Sequence, residues 1–251
     1  MNHFYELPSP VVFAHRGASA HAPENTLAAF SLALEQGAPA VELDAKLSID
    51  GKVFVHHDLT LDRTTTGTGS IKKRKWDEIS HVDAGSHYDP RFADEKIPLL
   101  EQVFETVGRK LLINIELTNY ATPTDSLVDH VVALVKKHAL EDWVIFSSFH
   151  PFNLARVGHL LPNSFRSMLA FEGNLGGWAR GPIGRWAGPQ ALHPHLKDVS
   201  PELIKAEHAR QRKINVWTVN NPTDMRRLFS WGVDGIFTDD PSLAIATLAG
   251  I

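Results

Sequence analysis

Residues 11–17 read VVFAHRG, a short apolar run that passes directly into a histidine and an arginine. Two further runs follow the same plan: AVELD at residues 40–44 and VFVHHD at residues 53–58. A fourth, LLINIE at residues 111–116, ends on a glutamate. Buried strands are apolar runs of this kind, and the working residues of parallel barrels lie where the strands end. The four runs therefore predict strands that deliver histidines, an arginine and carboxylates to one rim, as an active site would.

The rest of the chain alternates strand-like runs with helix-like stretches, which is typical of βα units around a parallel sheet. The strand candidates are Val11–Ala14, Ala40-Val41, Val53–Val55, Leu111–Ile115, Val144–Ser147, Arg166–Phe171, Ala191-Leu192, Ile214–Val219 and Gly235–Thr238. The helix candidates are Thr26–Gln36, Leu99–Val107, Thr124–His138, Phe152–Leu160, Ser200–Gln211, Pro222–Trp231 and Pro241–Leu248. For the first helix, Asn25 is the predicted N-cap and Gly37 the predicted end.

These elements predict an α/β fold, a parallel barrel, in a single domain that spans residues 1–251. A closed barrel of this type needs eight strands, whereas the pattern offers one more. We expect the surplus near residues 41–57, where Asp50-Gly51 marks a turn too tight for a helical crossover. Residues 60–98 are longer than a standard βα connection and predict a small insertion at the barrel mouth.

Composition narrows the classes of function. The chain has 251 residues and a net charge of −4, without the basic face that nucleic-acid binding normally needs. It contains no cysteine, which excludes disulfides, zinc thiolate sites and thiol catalysis. Residues 1–10 lack the apolar core of a secretory signal, and no apolar run approaches the ~20 residues of a membrane span. We therefore expect a cytoplasmic protein that does not insert into membranes.

Three acidic residues at strand ends suit a metal site. Glu42 and Asp44 are two residues apart on one strand, so their side chains share a face about 7 Å apart. Glu116, at the end of another strand, can supply a third oxygen ligand. Three carboxylates without cysteine favour a hard divalent cation, Mg²⁺ or Ca²⁺. The alternative is that these acids only form ion pairs with nearby cations, namely Arg16, Lys46 and Arg63.

His15 and His57 are the candidates for proton transfer, because imidazole titrates near neutral pH and both follow strands beside acids. His56 would point away from its neighbour if the strand continued through it. The motif His193-Pro194-His195 is a candidate for a transition-metal pair or for the lining of the mouth. Its proline disturbs a strand, and no third nitrogen-rich cluster stands nearby in sequence, which argues against the metal.

Arg16 and Trp217 are the candidate substrate contacts. Arg16 offers a planar fork of donors suited to phosphate oxygens. Its alternative role is an ordinary ion pair with Glu42 or Glu116. Trp217 stands near a strand end, where it either walls the pocket or fills the core.

A series of short motifs runs in order along nearly the whole chain. They are His15-Arg16-Gly17, Pro23-Glu24-Asn25-Thr26, Glu42-Leu43-Asp44, Asp50-Gly51, Val55-His56-His57-Asp58, Asp62-Arg63-Thr64-Thr65, Ile97-Pro98-Leu99-Leu100-Glu101, Asn114-Ile115-Glu116, Ser148-Phe149, Trp217-Thr218-Val219-Asn220 and Gly235-Ile236-Phe237-Thr238-Asp239. In this combination the chain resembles the glycerophosphodiester phosphodiesterases.

The resemblance implies a TIM-type barrel enzyme and a set of site residues. These are Glu42, Asp44 and Glu116 for a divalent metal, His15 and His57 for acid/base catalysis, and Arg16 for the phosphate. In the family, a glycerophosphodiester is cut to sn-glycerol 3-phosphate and an alcohol. The glycerol 2-hydroxyl attacks phosphorus first, and water then opens the resulting cyclic phosphate. One histidine deprotonates the hydroxyl and the other protonates the leaving alkoxide, with their roles reversed in the second step.

Thr118 departs from the family pattern, in which many members carry a lysine two residues after the third metal carboxylate. Thr118 shares a strand face with Glu116. Lys46, two residues after Asp44, is the candidate replacement for the missing cation. The departure leaves the reaction class intact and opens the question of substrate.

Two rival functions stay open. One is a lysophospholipase D-like phosphodiesterase, which needs an apolar groove for an acyl chain, with Phe171, Trp178 and Trp186 as candidates. The other is a non-catalytic barrel that binds phosphodiesters or a partner. The complete set of histidines and carboxylates argues against the second rival.

Overall fold

The computed structural model describes residues 2–250. Its strands are β1 (Val11–Ala14), β2 (Ala40–Leu47), β3 (Val53–Val55), β4 (Leu112–Leu117), β5 (Val144–Ser148), β6 (Phe165–Ala170), β7 (Ala191–Pro194), β8 (Lys213–Val216) and β9 (Gly235–Thr238). Its α-helices are α1 (Leu27–Glu35), α2 (Asp77–Ser80), α3 (Leu100–Val107), α4 (Leu127–Lys137), α5 (Pro151–Leu160), α6 (Gly177–Arg180), α7 (Pro182–Arg185), α8 (Pro201–His208), α9 (Pro222–Trp231) and α10 (Pro241–Ala249). Short 3₁₀ helices lie at His3–Tyr5, Pro90–Phe92, Gly173–Gly176 and Leu196–Asp198.

Eight of these strands close into a parallel barrel. Their order is β1-β9-β8-β7-β6-β5-β4-β2, and β1 pairs with β2 to complete the ring. The longer helices alternate with the barrel strands along the chain and cover the outside of the barrel. The prediction of a TIM-type barrel is confirmed.

The ninth strand, β3, lies outside the barrel. It pairs antiparallel with the end of β2, with Val55 opposite Ala45 and Val53 opposite Leu47. Gly51 turns the chain between the two strands with a φ of +79°, a conformation that costs glycine little. The expected surplus strand therefore lies where the tight turn predicted it.

Apolar side chains fill both faces of the barrel wall. The floor of the interior is a cluster of Phe4, Val11, Phe13, Ala40, Leu112, Ile145, Phe165, Ala191 and Phe237. A larger cluster packs between the outer face of the strands and helices α1, α3 and α4. Because both faces are covered, the strands read as near-continuous apolar runs, which made them visible in the sequence.

The start of α1 differs from the prediction. Thr26, not Asn25, is the N-cap, and its hydroxyl accepts a hydrogen bond from the backbone N–H of Ala29 at 3.2 Å. Asn25 has a φ of +59° and donates its amide to Asp44 instead, at 2.8 Å. The predicted end is confirmed, since Gly37 follows the helix with a φ of +77°.

The end of β8 also differs, because the strand stops at Val216 and not at Val219. The chain beyond it leaves the ladder of β8. Trp217 donates its backbone N–H to Pro194 at 3.2 Å, on one neighbouring strand, and Val219 donates to Phe237 at 2.8 Å, on the other. Residues 217–219 thus bridge the two neighbours of β8 at the barrel mouth.

The predicted insertion at residues 60–98 has a small core of its own. Its buried members, with Phe54 of β3, are Leu61, Ile71, Ile79, Ala84 and Ile97. The Tyr88 hydroxyl ties it to the loop after β1 by donating to the carbonyl of Ala20 at 2.6 Å. The insertion therefore borders the barrel mouth.

Candidate active site

A pocket opens at the carboxyl ends of the barrel strands. We call it the mouth pocket, and its lining consists of His15, Arg16, Glu42, His57, Asn114, Glu116, Phe149, Leu169, Trp217 and Phe237. One part of this lining is charged and the other is apolar. Of the site residues predicted from sequence, only Asp44 is absent from the lining, and its carboxylate lies within 4.8 Å of those of Glu42 and Glu116.

The three carboxylates are brought together by strand geometry. Glu42 and Asp44 alternate on β2, so both project to the barrel interior, where they are 3% and 2% exposed. The parallel pairing of β2 with β4 sets Glu116 opposite Asp44. The predicted grouping of these three acids is therefore present in the structure.

Crowding changes the protonation of the cluster. Burial and the charge of Asp44 raise the pKa of Glu116 to about 8. Burial, with the charges of Asp44 and Glu116, also raises the pKa of Glu42 well above its usual value. Asp44 differs: burial opposes its ionisation, but the charges of Arg16, His57 and Lys46 and the hydrogen bond from Asn25 together outweigh burial and lower its pKa. Without a cation, the cluster therefore retains protons near neutral pH.

The loop after β1 orients two of the carboxylates. The backbone N–H of Arg16 donates to Glu42 Oε2 at 3.0 Å, and the amide of Asn25 donates to Asp44 Oδ2 at 2.8 Å. Both donor residues have a positive φ, +57° and +59°, which is uncommon outside glycine. The loop therefore adopts a costly backbone that turns its donors towards the acids.

The guanidinium of Arg16 lies between Glu24 and Asp44. Its Nη1 is 2.8 Å from Glu24 Oε1, and its Nε is 3.4 Å from Asp44 Oδ2. These carboxylates outweigh burial and raise the pKa of Arg16, so it is charged. Glu24 also accepts from Arg63 at 2.6 and 2.8 Å, which together with Arg16 lowers its pKa to about 2. The acids weighed from sequence as ion-pair partners of the Arg16 side chain, Glu42 and Glu116, are not its partners.

Each of the two predicted catalytic histidines is held by an aspartate. His15 Nδ1 lies 2.6 Å from Asp239 Oδ1, and His57 Nδ1 lies 2.6 Å from Asp58 Oδ1. Arg63 in turn donates to both oxygens of Asp58, at 2.7 and 2.9 Å. With Nδ1 engaged, Nε2 is the nitrogen of each ring that is available to a molecule in the mouth pocket.

The other histidines singled out in the sequence lie elsewhere. His56 is buried and its Nε2 lies 2.9 Å from the carbonyl of Thr60. His193 is fully buried in the barrel interior beside Asn215, and burial lowers its pKa to about 3. Within residues 2–250, the cluster of Glu42, Asp44 and Glu116 is the only group of three histidine, aspartate or glutamate side chains placed to hold a metal. The metal alternative for the motif at residues 193–195 therefore finds no support.

Aromatic rings form the apolar part of the mouth. Phe149 stacks on Phe171 with centroids 3.9 Å apart and meets Trp217 edge-on at 5.7 Å. Tyr120 meets Phe149 edge-on at 5.5 Å, and its hydroxyl donates to Glu116. Of the two places weighed for Trp217, the structure shows the pocket wall.

Lys46 is buried beside the carboxylate cluster. Its side chain lies on the same strand as Asp44, 8% exposed, and its Nζ is 3.1 Å from the hydroxyl oxygen of Thr118. Burial lowers the pKa of this ammonium, opposed by the charges of Asp44 and Glu116. The cation expected to replace the missing lysine thus reaches residue 118 from the neighbouring strand.

Several residues of the site were quoted in motifs without a role being predicted for them. They are Glu24, Asp58, Phe149, Asn220 and Asp239. The signal for Asp239 was present, since it directly follows β9 just as His15 follows β1. Phe149 directly follows β5 in the same way, but its stacking with rings from three other loops has no local signal.

Comparison with known proteins agrees with the site geometry. The glycerophosphoryl diester phosphodiesterase family matches residues 15–243. The chain belongs to this family. A glycerophosphodiester phosphodiesterase of Caldanaerobacter subterraneus subsp. tengcongensis is 38% identical over 94% of this chain and 96% of its own length. One of Bacillus subtilis is 32% identical over 92% of this chain and 83% of its own length.

Solved structures extend the likeness to the fold. A phosphodiesterase of Oleispira antarctica, in complex with the product sn-glycerol-3-phosphate, superposes with a TM-score of 0.89 at 30% identity, over 98% of this chain and 99% of that one. A glycerophosphodiester phosphodiesterase of Agrobacterium tumefaciens gives a TM-score of 0.81 at 32% identity, over 94% and 99%. The expectation of a phosphodiester hydrolase on a TIM-type barrel is confirmed. No helix within residues 2–250 is long and apolar enough to cross a membrane.

Proposed function

We propose that this member of the family hydrolyses glycerophosphodiesters to sn-glycerol 3-phosphate and an alcohol, with a divalent metal and two histidines. One observation carries the proposal: three clustered carboxylates, two aspartate-bound imidazoles and an arginine lie together at a single pocket. The product held by the Oleispira antarctica enzyme supports the choice of substrate.

Glu42, Asp44 and Glu116 would hold the metal. Their oxygens lie within 4.8 Å of one another, and oxygen donors suit Mg²⁺ or Ca²⁺. The raised pKa values of Glu42 and Glu116 fit this role, because a bound cation would favour the ionised carboxylates that burial and mutual repulsion disfavour. When bound, the metal would offset the negative charge that grows on the phosphate oxygens during reaction.

His15 and His57 move the protons. In the first step, Nε2 of one ring accepts the proton of the glycerol 2-hydroxyl as its oxygen attacks phosphorus. Nε2 of the other donates a proton to the departing alkoxide, so the alcohol leaves neutral and a cyclic phosphate remains. Water then attacks phosphorus and loses a proton to the second ring, while the first returns its proton to the glycerol 2-oxygen. An acid/base pair of this kind contributes about 10²–10⁴-fold.

Arg16 and Trp217 bind the substrate. The charged fork of Arg16 lines the pocket next to the carboxylates, where it can donate to the non-bridging phosphate oxygens. Trp217 offers an apolar wall to the carbon atoms of glycerol. The partner is thus a small-molecule diester, and location in the cytoplasm and a single domain over residues 1–251 stay predictions.

One observation favours a second substrate class, the lysophospholipids. Phe171 is 41% exposed and stacks on Phe149 of the pocket. Three residues after Phe149, the exposed ring of Phe152 meets the exposed ring of Trp186. An acyl chain leaving the pocket past Phe149 would meet the exposed ring of Phe171. Trp178, the third ring weighed for such a groove, is packed against an inner cluster instead.

Release of sn-glycerol 3-phosphate tests the proposal. Glycerophosphocholine, glycerophosphoethanolamine and glycerophosphoglycerol would each be assayed with Mg²⁺, with Ca²⁺ and with EDTA. We expect release with a metal and none with EDTA. Release of choline and lysophosphatidate from lysophosphatidylcholine, with none of the three glycerophosphodiesters cleaved, would establish the second substrate class. Metal binding without any turnover would support a non-catalytic barrel.

A further inference from the structure

Asp239, which follows the last strand, contacts the ring of His15, which follows the first strand. β1 pairs with β9 in the register Ala14 opposite Thr238, and His15 donates its backbone N–H to Thr238 at 2.9 Å. This pairing sets the next residues, His15 and Asp239, side by side, with Nδ1 and Oδ1 2.6 Å apart. The contact thus follows from closure of the barrel.

Asn220 clamps Asp239 from the loop after β8. Its amide nitrogen donates to Asp239 Oδ2 at 2.6 Å, and its amide oxygen accepts from the backbone N–H of Asp239 at 2.9 Å. The same oxygen accepts from the Thr238 hydroxyl at 3.1 Å. Ser19 adds a donor to Asp239 Oδ1 at 3.2 Å. Both the carboxylate and its backbone are therefore fixed.

The carboxylates behind the two histidines differ in charge balance. Asp58, behind His57, accepts two hydrogen bonds from Arg63, so a guanidinium that it shares with Glu24 offsets part of its charge. Asp239 is held by neutral donors, and no lysine or arginine of residues 2–250 lies within 4.0 Å of its oxygens. Its negative charge is therefore directed at His15 alone.

We propose that Asp239, clamped by Asn220, is the positioning residue of His15. The carboxylate holds the proton on Nδ1, which leaves Nε2 to exchange a proton with the substrate, and it stabilises the ring while both nitrogens carry protons. Asp239 itself does not take up the proton. The proposal rests on the proposed function for its effect on turnover, but the tautomer of His15 is a property of the protein alone.

Three variants test it. We expect Asp239→Asn to lower kcat by 100-fold or more, up to about 10⁴-fold, because an amide no longer enforces one tautomer. Asn220→Ala keeps the carboxylate but removes its clamp, and a loss of about 10–100-fold is expected. KM should change little in both. Asp240→Asn is the matched control: its side chain caps α10 through Leu243, so kcat should stay at the wild-type level.

A second readout separates positioning from general damage and from failure of the proposed function. Nitrogen-15 spectra of the histidine rings should show His15 in the Nδ1–H form in the wild type and a mixture of tautomers in Asp239→Asn. This measurement needs no substrate, so it decides the tautomer even if the wild type cleaves no glycerophosphodiester. An unchanged His15 spectrum, or an Asp239→Asn variant with near-normal kcat, would overturn the proposal.

Discussion

The ammonium nitrogen of Lys46 lies 3.1 Å from the hydroxyl oxygen of Thr118, across the paired strands β2 and β4. Lys46 and Thr118, two residues beyond Asp44 and Glu116, thus meet one side-chain layer further along the strands than the carboxylates. A lysine at position 118 would reach this layer from the end of β4. In this chain the cation comes from β2 and the hydroxyl from Thr118, the residue that follows β4.

Removal of this cation should weaken catalysis. We expect Lys46→Met to lower kcat/KM for a glycerophosphodiester by about 10–100-fold, since hydrogen bonds to charged groups are worth roughly 1.5–3 kcal/mol. The exchange Lys46→Gln with Thr118→Lys should recover most of the loss. Exposed Lys52 provides the control, because Lys52→Met removes the same charge outside the mouth pocket. Wild-type kcat/KM in Lys46→Met would show that the ammonium only balances the carboxylates.

The metal-free protein should lose stability as the pH rises. The pKa of Glu116 is about 8 in the folded state, against about 4.3 for an unfolded glutamate. Between these two pKa values the folded protein holds a proton that the unfolded chain has lost. The stabilisation from this proton is therefore complete below a pH of about 4.3 and disappears as the pH rises through about 8. The slope is at most roughly 1.4 kcal/mol per pH unit for this group.

Thermal melting in EDTA checks this dependence. The midpoint should fall as the pH is raised from about 5 to about 8, and Glu116→Gln should flatten the curve. Saturating Mg²⁺ should counteract the fall, because metal binding requires the ionised carboxylates. A midpoint in EDTA that rises over this range would contradict the assignment of the proton to the cluster.

Loss of one imidazole should stop turnover without unfolding the protein. His57→Ala is expected to lower kcat by about 10²–10⁴-fold, the usual contribution of a general acid or base. Its ring is 44% exposed at the pocket, so little packing is lost. His81→Ala, at an exposed position of the insertion, should leave kcat unchanged. Equal activity of the two variants would remove His57 from the acid/base pair.

The amide of Asn25 should affect metal affinity. Asn25→Gly keeps the left-handed backbone at residue 25, with its φ of +59°, but removes the donor to Asp44. We expect Mg²⁺ affinity to fall by about 10–100-fold, as is common when the partner of a ligating group is lost. Titration calorimetry measures this directly, with Asn174→Ala, at an exposed position, as the control. An unchanged affinity would mean that Arg16 alone orients Asp44.

Local patterns predicted the strands well. All the strand candidates correspond to strands, because parallel strands covered on both faces are continuous apolar runs. The ends were less predictable, and residues 217–219 show why: their hydrogen bonds go to β7 and β9, which no local pattern encodes. The N-cap prediction failed for a similar reason, since Asn25 is recruited by Asp44, 19 residues away.

For the site too, local features were predictable from the sequence and long-range contacts were not. Glu42, Asp44 and Glu116 were predictable because strand alternation and strand ends are local properties. The pairing of His15 with Asp239 was not, since the two residues are 224 positions apart and meet only when the barrel closes. The pairing of Arg16 with Glu24 likewise depends on how the loop after β1 folds back.

That closure has a consequence for synthesis of the chain on the ribosome. The first strand emerges early and stays open at one edge until β9, residues 235–238, has left the exit tunnel. A contact across 224 residues closes one of the longest loops available, and such non-local contacts form late. Nascent chains that end before Asp239 would hold both histidines and all three carboxylates, yet His15 would lack its carboxylate. Turnover would therefore report that synthesis has passed Asp239.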